Sequence, residues 1–132
     1  MVAVLGMRNR TQQEEAMVPD PNEYVEVMPE SLVEEGEMYP FDLDDEQLML
    51  ARVEGEIHAL HGICTHEYAE LWDGDIEDDT IWCPLHSSGF NVKTGDATNL
   101  PAVIPLPVYD VKIEDGTVYV SRKPIRNDPD ER

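Results

Sequence analysis

Cys64-Thr65-His66 and, after sixteen intervening residues, Cys83-Pro84-Leu85-His86 decide how this chain is read. Both lie in a stretch, residues 61 to 101, rich in glycines, acids and histidines and weak in hydrophobic period. On either side the pattern is that of short strands. Upstream, Tyr24-Val25-Glu26-Val27 alternates, and Pro29 to Gly36 reads as one helical turn closed by glycine. Met38 to Leu43 leads into the acidic turn Asp44-Asp45-Glu46. Leu48 to Val53 then runs through a hairpin turn, Glu54-Gly55, into Ile57 to Leu60. The pattern breaks at His61. Downstream, strand character resumes at Val103-Ile104 and at Val108 to Ile113, and Asp115-Gly116 turns the chain into Thr117 to Ser121. Short strands, frequent turns and little helix predict an all-β fold, an antiparallel sandwich or barrel. The irregular stretch is too long for an idle loop in a compact domain, so function is expected there.

The ends read differently. Residues 1 to 22 form an extension expected to be poorly ordered, with the turn former Pro19-Asp20-Pro21-Asn22 before the first strand. Residues 23 to 122 form the domain, and residues 123 to 132 a frayed tail. Met1 to Met7 is apolar, but it is too short to span a bilayer, and Arg8 and Arg10 follow it rather than precede it as in a secretory signal. A cytoplasmic location without a membrane segment is expected, and there a disulfide between the two cysteines would be unusual.

Twenty-nine acids face nine bases, a formal net charge of −20. Such a surface repels nucleic acid and anionic lipid, which excludes both as partners. It fits either a salt-adapted surface or docking onto basic proteins.

Each of the two boxes offers one thiolate and one imidazole from a single tight loop. Together they supply two soft and two borderline ligands. A structural Cys₂His₂ zinc site is one reading, although its usual signature pairs cysteine with cysteine and histidine with histidine. A binuclear cluster is the other. One iron can take both thiolates and the second both imidazoles, with each loop spanning the two irons. His58, between Ile57 and Ala59 in a strand, reads as a surface residue rather than a ligand. His61, three residues before Cys64, reads as an exposed loop residue or as a neighbour of the ligands.

From about Tyr24 to Arg122 the chain resembles the Rieske proteins. The likeness rests on the two boxes, on Gly55-Glu56-Ile57-His58-Ala59-Leu60 before them, and on Gly89-Phe90-Asn91, Thr94-Gly95 and Leu100-Pro101-Ala102 after them. It is nearest to the small ferredoxins that serve bacterial aromatic-ring-hydroxylating dioxygenases. The resemblance implies a β-sandwich base with an inserted cluster-binding subdomain at about residues 61 to 101. It implies one [2Fe-2S] cluster, with Cys64 and Cys83 on the inner iron and His66 and His86 on the outer one. Ser88, Phe90, Pro84 and His61 would surround those ligands.

A one-electron carrier without catalytic residues of its own follows from the resemblance. An oxygenase subunit would need a second domain with a mononuclear iron, and too few residues and histidines remain for one. A monomer is implied, placed between a flavin-dependent NAD(P)H reductase and a terminal oxygenase. The small subunit of a nitrite reductase is the alternative within the family, and a zinc module the alternative outside it. A respiratory subunit would carry a second cysteine pair, and Leu85 occupies the place of one member. High-potential relatives use a serine and a tyrosine hydroxyl near the cluster. Here Ser88 holds the first position and Phe90 the second, which predicts a potential low in the Rieske range of roughly −150 to +300 mV.

Overall fold

The computed structural model describes residues 23–65, 68–85, 88–100 and 102–128. The expected extension, residues 1 to 22, lies outside them, as do His66 and His86.

Ten strands form two antiparallel sheets. The larger sheet contains β1 (Tyr24–Pro29), β2 (Met38–Leu43), β3 (Glu46–Val53), β4 (Glu56–His61), β9 (Val108–Glu114) and β10 (Thr117–Arg126), in the order β1-β10-β9-β4-β3-β2. The smaller sheet is inserted between β4 and β9. It contains β5 (Asp75–Glu77), β6 (Thr80–Trp82), β7 (Gly89–Asn91) and β8 (Ala97–Asn99) in sequence order.

The larger sheet is a base made of two three-stranded halves. They join through only two register pairs, Ala59 with Tyr109 and Leu60 with Val108. Side chains from all six strands meet in one buried cluster: Val25 and Val27, Phe41 and Leu43, Leu48 and Leu50, Ile57 and Ala59, Tyr109 and Val111, Val118 and Val120. A flat sheet cannot bring both of its edges into one cluster, so the halves face each other as a sandwich. An ion pair of 2.9 Å between Arg122 on β10 and Asp44 in the β2–β3 turn links the halves from outside. The hairpin turn read from the sequence is present. Glu54 and Gly55 both take positive φ, 54° and 81°, as a two-residue turn matched to strand twist requires.

β3 positions everything else. Leu48 and Leu50 point into the sandwich, while Met49, Ala51 and Val53 point the other way, into a second cluster shared with the inserted sheet. Burial on both faces is why Leu48-Met49-Leu50-Ala51 reads as a continuous apolar run rather than an alternation. The second cluster includes Cys64, Leu71, Ile81, Cys83, Phe90, Val92, Ala102 and Leu106.

Four sequence expectations change. β4 continues through His61, whose N–H donates to the carbonyl of Pro107, so His61 ends a strand instead of opening a loop. Val103-Ile104 is not a strand; it is the crest of the loop between β8 and β9. The C-terminal tail expected to fray from residue 123 is ordered as strand at its start. β10 runs to Arg126, and the side-chain amide of Asn127 donates to the carbonyls of Thr94 and Leu106 at 2.8 Å each. The helical turn after Pro29 shrinks to a 3₁₀ turn at Glu30–Leu32.

Candidate metal centre

The two boxes are built alike. In the first, Ile63 bridges to Glu70, and the N–H of Cys64 donates to the carbonyl of Ala69 at 2.8 Å. In the second, the N–H of Cys83 donates to the carbonyl of Ser88 at 2.9 Å. Each cysteine thus closes a tight loop onto the residue five positions later, and each ligand histidine of the sequence reading lies within the loop so closed. In the first loop Tyr68 takes a left-handed φ of 59°, and its N–H donates back to the carbonyl of Cys64. The constraint leaves the Tyr68 side chain 79% exposed.

Both thiols are buried, Cys64 fully and Cys83 to within 5%, and both belong to the second apolar cluster. Neither is in a disulfide. Among the described residues no group of three or more metal-ligating side chains is assembled. The described part of the site therefore consists of two buried sulfur donors in matched loops.

Ser88 is fully buried, and its hydroxyl oxygen accepts the N–H of Ala102 at 3.1 Å. The proton of that hydroxyl needs an acceptor in a place that water does not reach, and a cluster sulfur would be one. Buried thiols and a buried hydroxyl of this kind fit a sulfide-bridged iron centre. Phe90 is fully buried on β7, opposite Ile81, where its ring fills the subdomain core. Pro84 is exposed at the surface beside Gly74.

The two remaining histidines are both partly buried, which corrects the surface reading of His58 and the exposed reading of His61. His58 pairs with Ala51 across β3 and β4 and faces the inserted sheet. Its Nε2 lies 3.6 Å from Glu56. Burial lowers its pKa, as does Lys93, against the pull of Glu56 and Asp79. His61 has its Nδ1 3.5 Å from Glu46, and burial lowers its pKa against that carboxylate. Both are held toward the neutral form. His61 ends β4, three residues before Cys64.

Three features were not read from the sequence as exposed or tethering ones. Tyr68 and Leu85, one from each box, stand exposed beside a groove whose rim carries Glu70 and Asp73. The loop after β8 presents Leu100, Val103 and Ile104 to solvent. Thr65, between Cys64 and His66 in the sequence, donates its hydroxyl to the carbonyl of Ile104 at 2.8 Å. Tyr68 and Leu85 could have been marked in the sequence by their place beside and within the boxes. The Thr65 contact spans 39 residues and left no local signal.

The Rieske [2Fe-2S] domain family matches residues 23–110. The ferredoxin subunit of 3-phenylpropionate/cinnamic acid dioxygenase from Escherichia coli K12 is 40% identical over 89 residues, which are 67% of this chain and 83% of that protein. The ferredoxin of carbazole 1,9a-dioxygenase from Nocardioides aromaticivorans superposes with a TM-score of 0.72 at 32% identity, covering 76% of this chain and 98% of that one. A chain in the complex of reduced oxygenase and oxidized ferredoxin of carbazole 1,9a-dioxygenase superposes with a TM-score of 0.73 at 31% identity, covering 77% and 95%.

Proposed function

The chain belongs to the Rieske [2Fe-2S] domain family, and from this membership we propose that it takes one electron from a flavin-dependent NAD(P)H reductase and delivers it to a terminal oxygenase of the ring-hydroxylating type. The relatives described above are ferredoxin components of dioxygenase systems, electron-transfer subunits rather than catalysts. Cys64, Cys83, His66 and His86 would hold the cluster, two by thiolate and two by imidazole. The observation that carries this assignment is the matched closure of the two loops around two buried thiols. When bound, the cluster supplies a reversible one-electron couple.

The chain's own residues do the rest. The apolar cluster around Cys64 and Cys83 excludes water and holds both loops against β3. The Ser88 hydroxyl supplies a donor to the more negative, reduced form. Leu85, Tyr68, Val103 and Ile104 make an apolar surface beside the ligand loops. That surface suits an oxygenase that docks beside the two boxes. Net charge adds attraction to a basic partner at long range, screened beyond a Debye length of roughly 8 Å at physiological ionic strength.

Chemical analysis and electron paramagnetic resonance test the reading. Anaerobically purified protein is expected to contain two irons and two acid-labile sulfides per chain, as one such cluster requires. The reduced form is expected to give the signal of mixed Cys/His ligation, with a mean g value below that of an all-cysteine cluster. One zinc and no sulfide would replace the carrier with a structural zinc module.

The potential separates this role from a respiratory one. Phe90 offers no hydroxyl and the large negative charge opposes reduction, so the wild-type value is expected in the lower part of the roughly −150 to +300 mV range. Ser88→Ala is expected to lower it further, by loss of one donor. Film voltammetry giving a wild-type value in the upper part of the range, or no change in Ser88→Ala, would be at odds with these assignments.

A further inference from the structure

The β3–β4 hairpin of the sandwich meets the inserted sheet along a seam, at the end of that sheet away from the second box. Both sides of the seam are fixed. On the sandwich side the carboxylate of Glu35 accepts the N–H groups of Glu54 and Gly55, at 2.6 and 3.0 Å, which pins the hairpin turn. On the inserted side the side-chain oxygen of Asn91 accepts the N–H groups of Lys93 and Thr94, at 2.8 and 3.0 Å, which pins the turn between β7 and β8. Lys93 crosses the seam. Its Nζ lies 3.2 Å from Glu54 of the hairpin and 4.0 Å from Asp79 of the β5–β6 turn.

His58 lies in the same seam. It stands on the face of β4 that turns toward the inserted sheet, beside Ala51, with a side chain only 16% exposed. Among the described residues its buried Nε2 has no hydrogen-bond partner. Glu56, at 3.6 Å, is too far for one. A neutral imidazole tolerates this, because one of its nitrogens carries no proton. An imidazolium carries a proton on both. It would place a buried Nε2–H without an acceptor in the field of the Lys93 ammonium.

We propose that this seam is acid-sensitive: in mild acid, protonation of His58 favours a state in which the inserted sheet has parted from the β3–β4 hairpin while the sandwich stays folded. The groups that face His58 do not cancel the effect. Glu56 on its own strand and Asp79 on the β5–β6 turn favour the charged ring, and Lys93 on the β7–β8 turn opposes it. Glu54 is engaged by Lys93, and β3 contributes the apolar Ala51 and Val53. Burial outweighs the two carboxylates and holds the pKa of His58 below its ordinary 6.5 while the seam is closed. On opening, the ring regains water and its ordinary pKa. Closure is therefore at full strength above pH 6.5 and weakens as pH falls from there toward the lowered value. Across that window the open fraction rises by at most about tenfold per pH unit, the limit for one proton.

The test is hydrogen exchange of the loaded full chain between pH 7.5 and 5.5, read as protection factors so that the intrinsic pH dependence of exchange drops out. The Val92 amide, which donates to the carbonyl of Asp79 at 2.8 Å, reports the inserted sheet, and the Val120 amide reports the sandwich. In the wild type, protection at Val92 is expected to fall about three- to tenfold over this range, with Val120 unchanged. His58→Gln, which cannot titrate, is expected to hold Val92 protection level with pH. A residue that only filled space would change the level of protection and leave its slope alone. A wild-type Val92 protection that does not fall, a fall shared equally by Val120, or a His58→Gln protein that keeps the wild-type slope would overturn the proposal. Should His58→Gln fail to load iron, Lys93→Met decides. Loss of the opposing cation is expected to lower Val92 protection at pH 7.5 and to shrink its further fall in acid, and an unchanged slope refutes the proposal. The seam lies apart from the boxes, so these outcomes are read independently of the ligand assignment.

Discussion

Cys83→Ser is expected to yield a protein without visible absorption, whose inserted sheet has lost its slow-exchanging amides while the sandwich keeps them. The inserted sheet has little means of its own. Its four strands are three residues long each, and two of the four, Asp75–Glu77 and Ala97–Asn99, have no fully buried residue. Strands that short do not stand alone in water. What holds them is the second apolar cluster and, by the ligand assignment, metal bonds that tie residue 64 to residue 83. Metal binding free energy is folding free energy in such a segment. The replacement also puts a hydroxyl where a thiol is 5% exposed among apolar side chains. The sandwich has a separate cluster with contributions from all six of its strands, so its amides are expected to stay protected. Iron analysis and hydrogen exchange read the two halves of this result independently. A Cys83→Ser protein with wild-type iron content and spectrum would remove Cys83 from the ligand set.

Gly95→Ala is expected to be among the most damaging substitutions that touch no ligand. Gly95 has φ +76°, where an L side chain costs roughly 1–2 kcal/mol. A Cβ there would also lie 2.2 Å from the backbone carbonyl of Leu106, an atom with no side-chain freedom to move away. Relief requires the β8–β9 loop to retreat, which breaks the 2.7 Å hydrogen bond from Leu106 to Gly95 and disturbs the clamp of Asn127. The sum is expected to exceed about 3 kcal/mol, at the upper end of single-residue effects. Urea unfolding checks the number, and the loss is expected to fall on cluster retention before it falls on the sandwich. A stability within about 0.5 kcal/mol of wild type, the range of ordinary surface changes, would mean that the loop yields at no cost.

The sandwich was legible because its strands alternate and its turns carry their own chemistry. Glu54-Gly55 and Asp115-Gly116 both adopt the positive φ pairs that their sequences suggest. Tyr24 to Val27, Met38 to Leu43 and Val108 to Ile113 all fall inside observed strands. The inserted sheet was not legible as strands. A three-residue strand such as Thr80–Trp82 contains one full alternation, too few for a period to register. Val103-Ile104 misled for the opposite reason: two β-branched residues have the composition of a strand, but their exposure serves a crest. His58 misled because β4, like β3, is covered on both faces, so the outward position of an alternating strand is not in water here. The thiols were legible from spacing alone. Thr65 and Asn127 were not, because each side chain donates to a backbone carbonyl far away in sequence.

The exposed side chains of Leu85, Tyr68 and Val103 also bear on how long a carrier stays with its partner. Charge acts at a distance and sets how often two proteins meet, while apolar contact acts only after they touch and sets how slowly they part. A shuttle that lingers is a shuttle out of service. Three exposed side chains beside a groove offer little area compared with the roughly 1,600 Å² of a lasting complex, so dissociation from them is expected to be fast. Two copies of this chain would be kept from occupying each other's apolar faces by the mutual repulsion of two bodies of charge −20. The same division of labour makes throughput, rather than affinity, the quantity on which mutations at Leu85 would act.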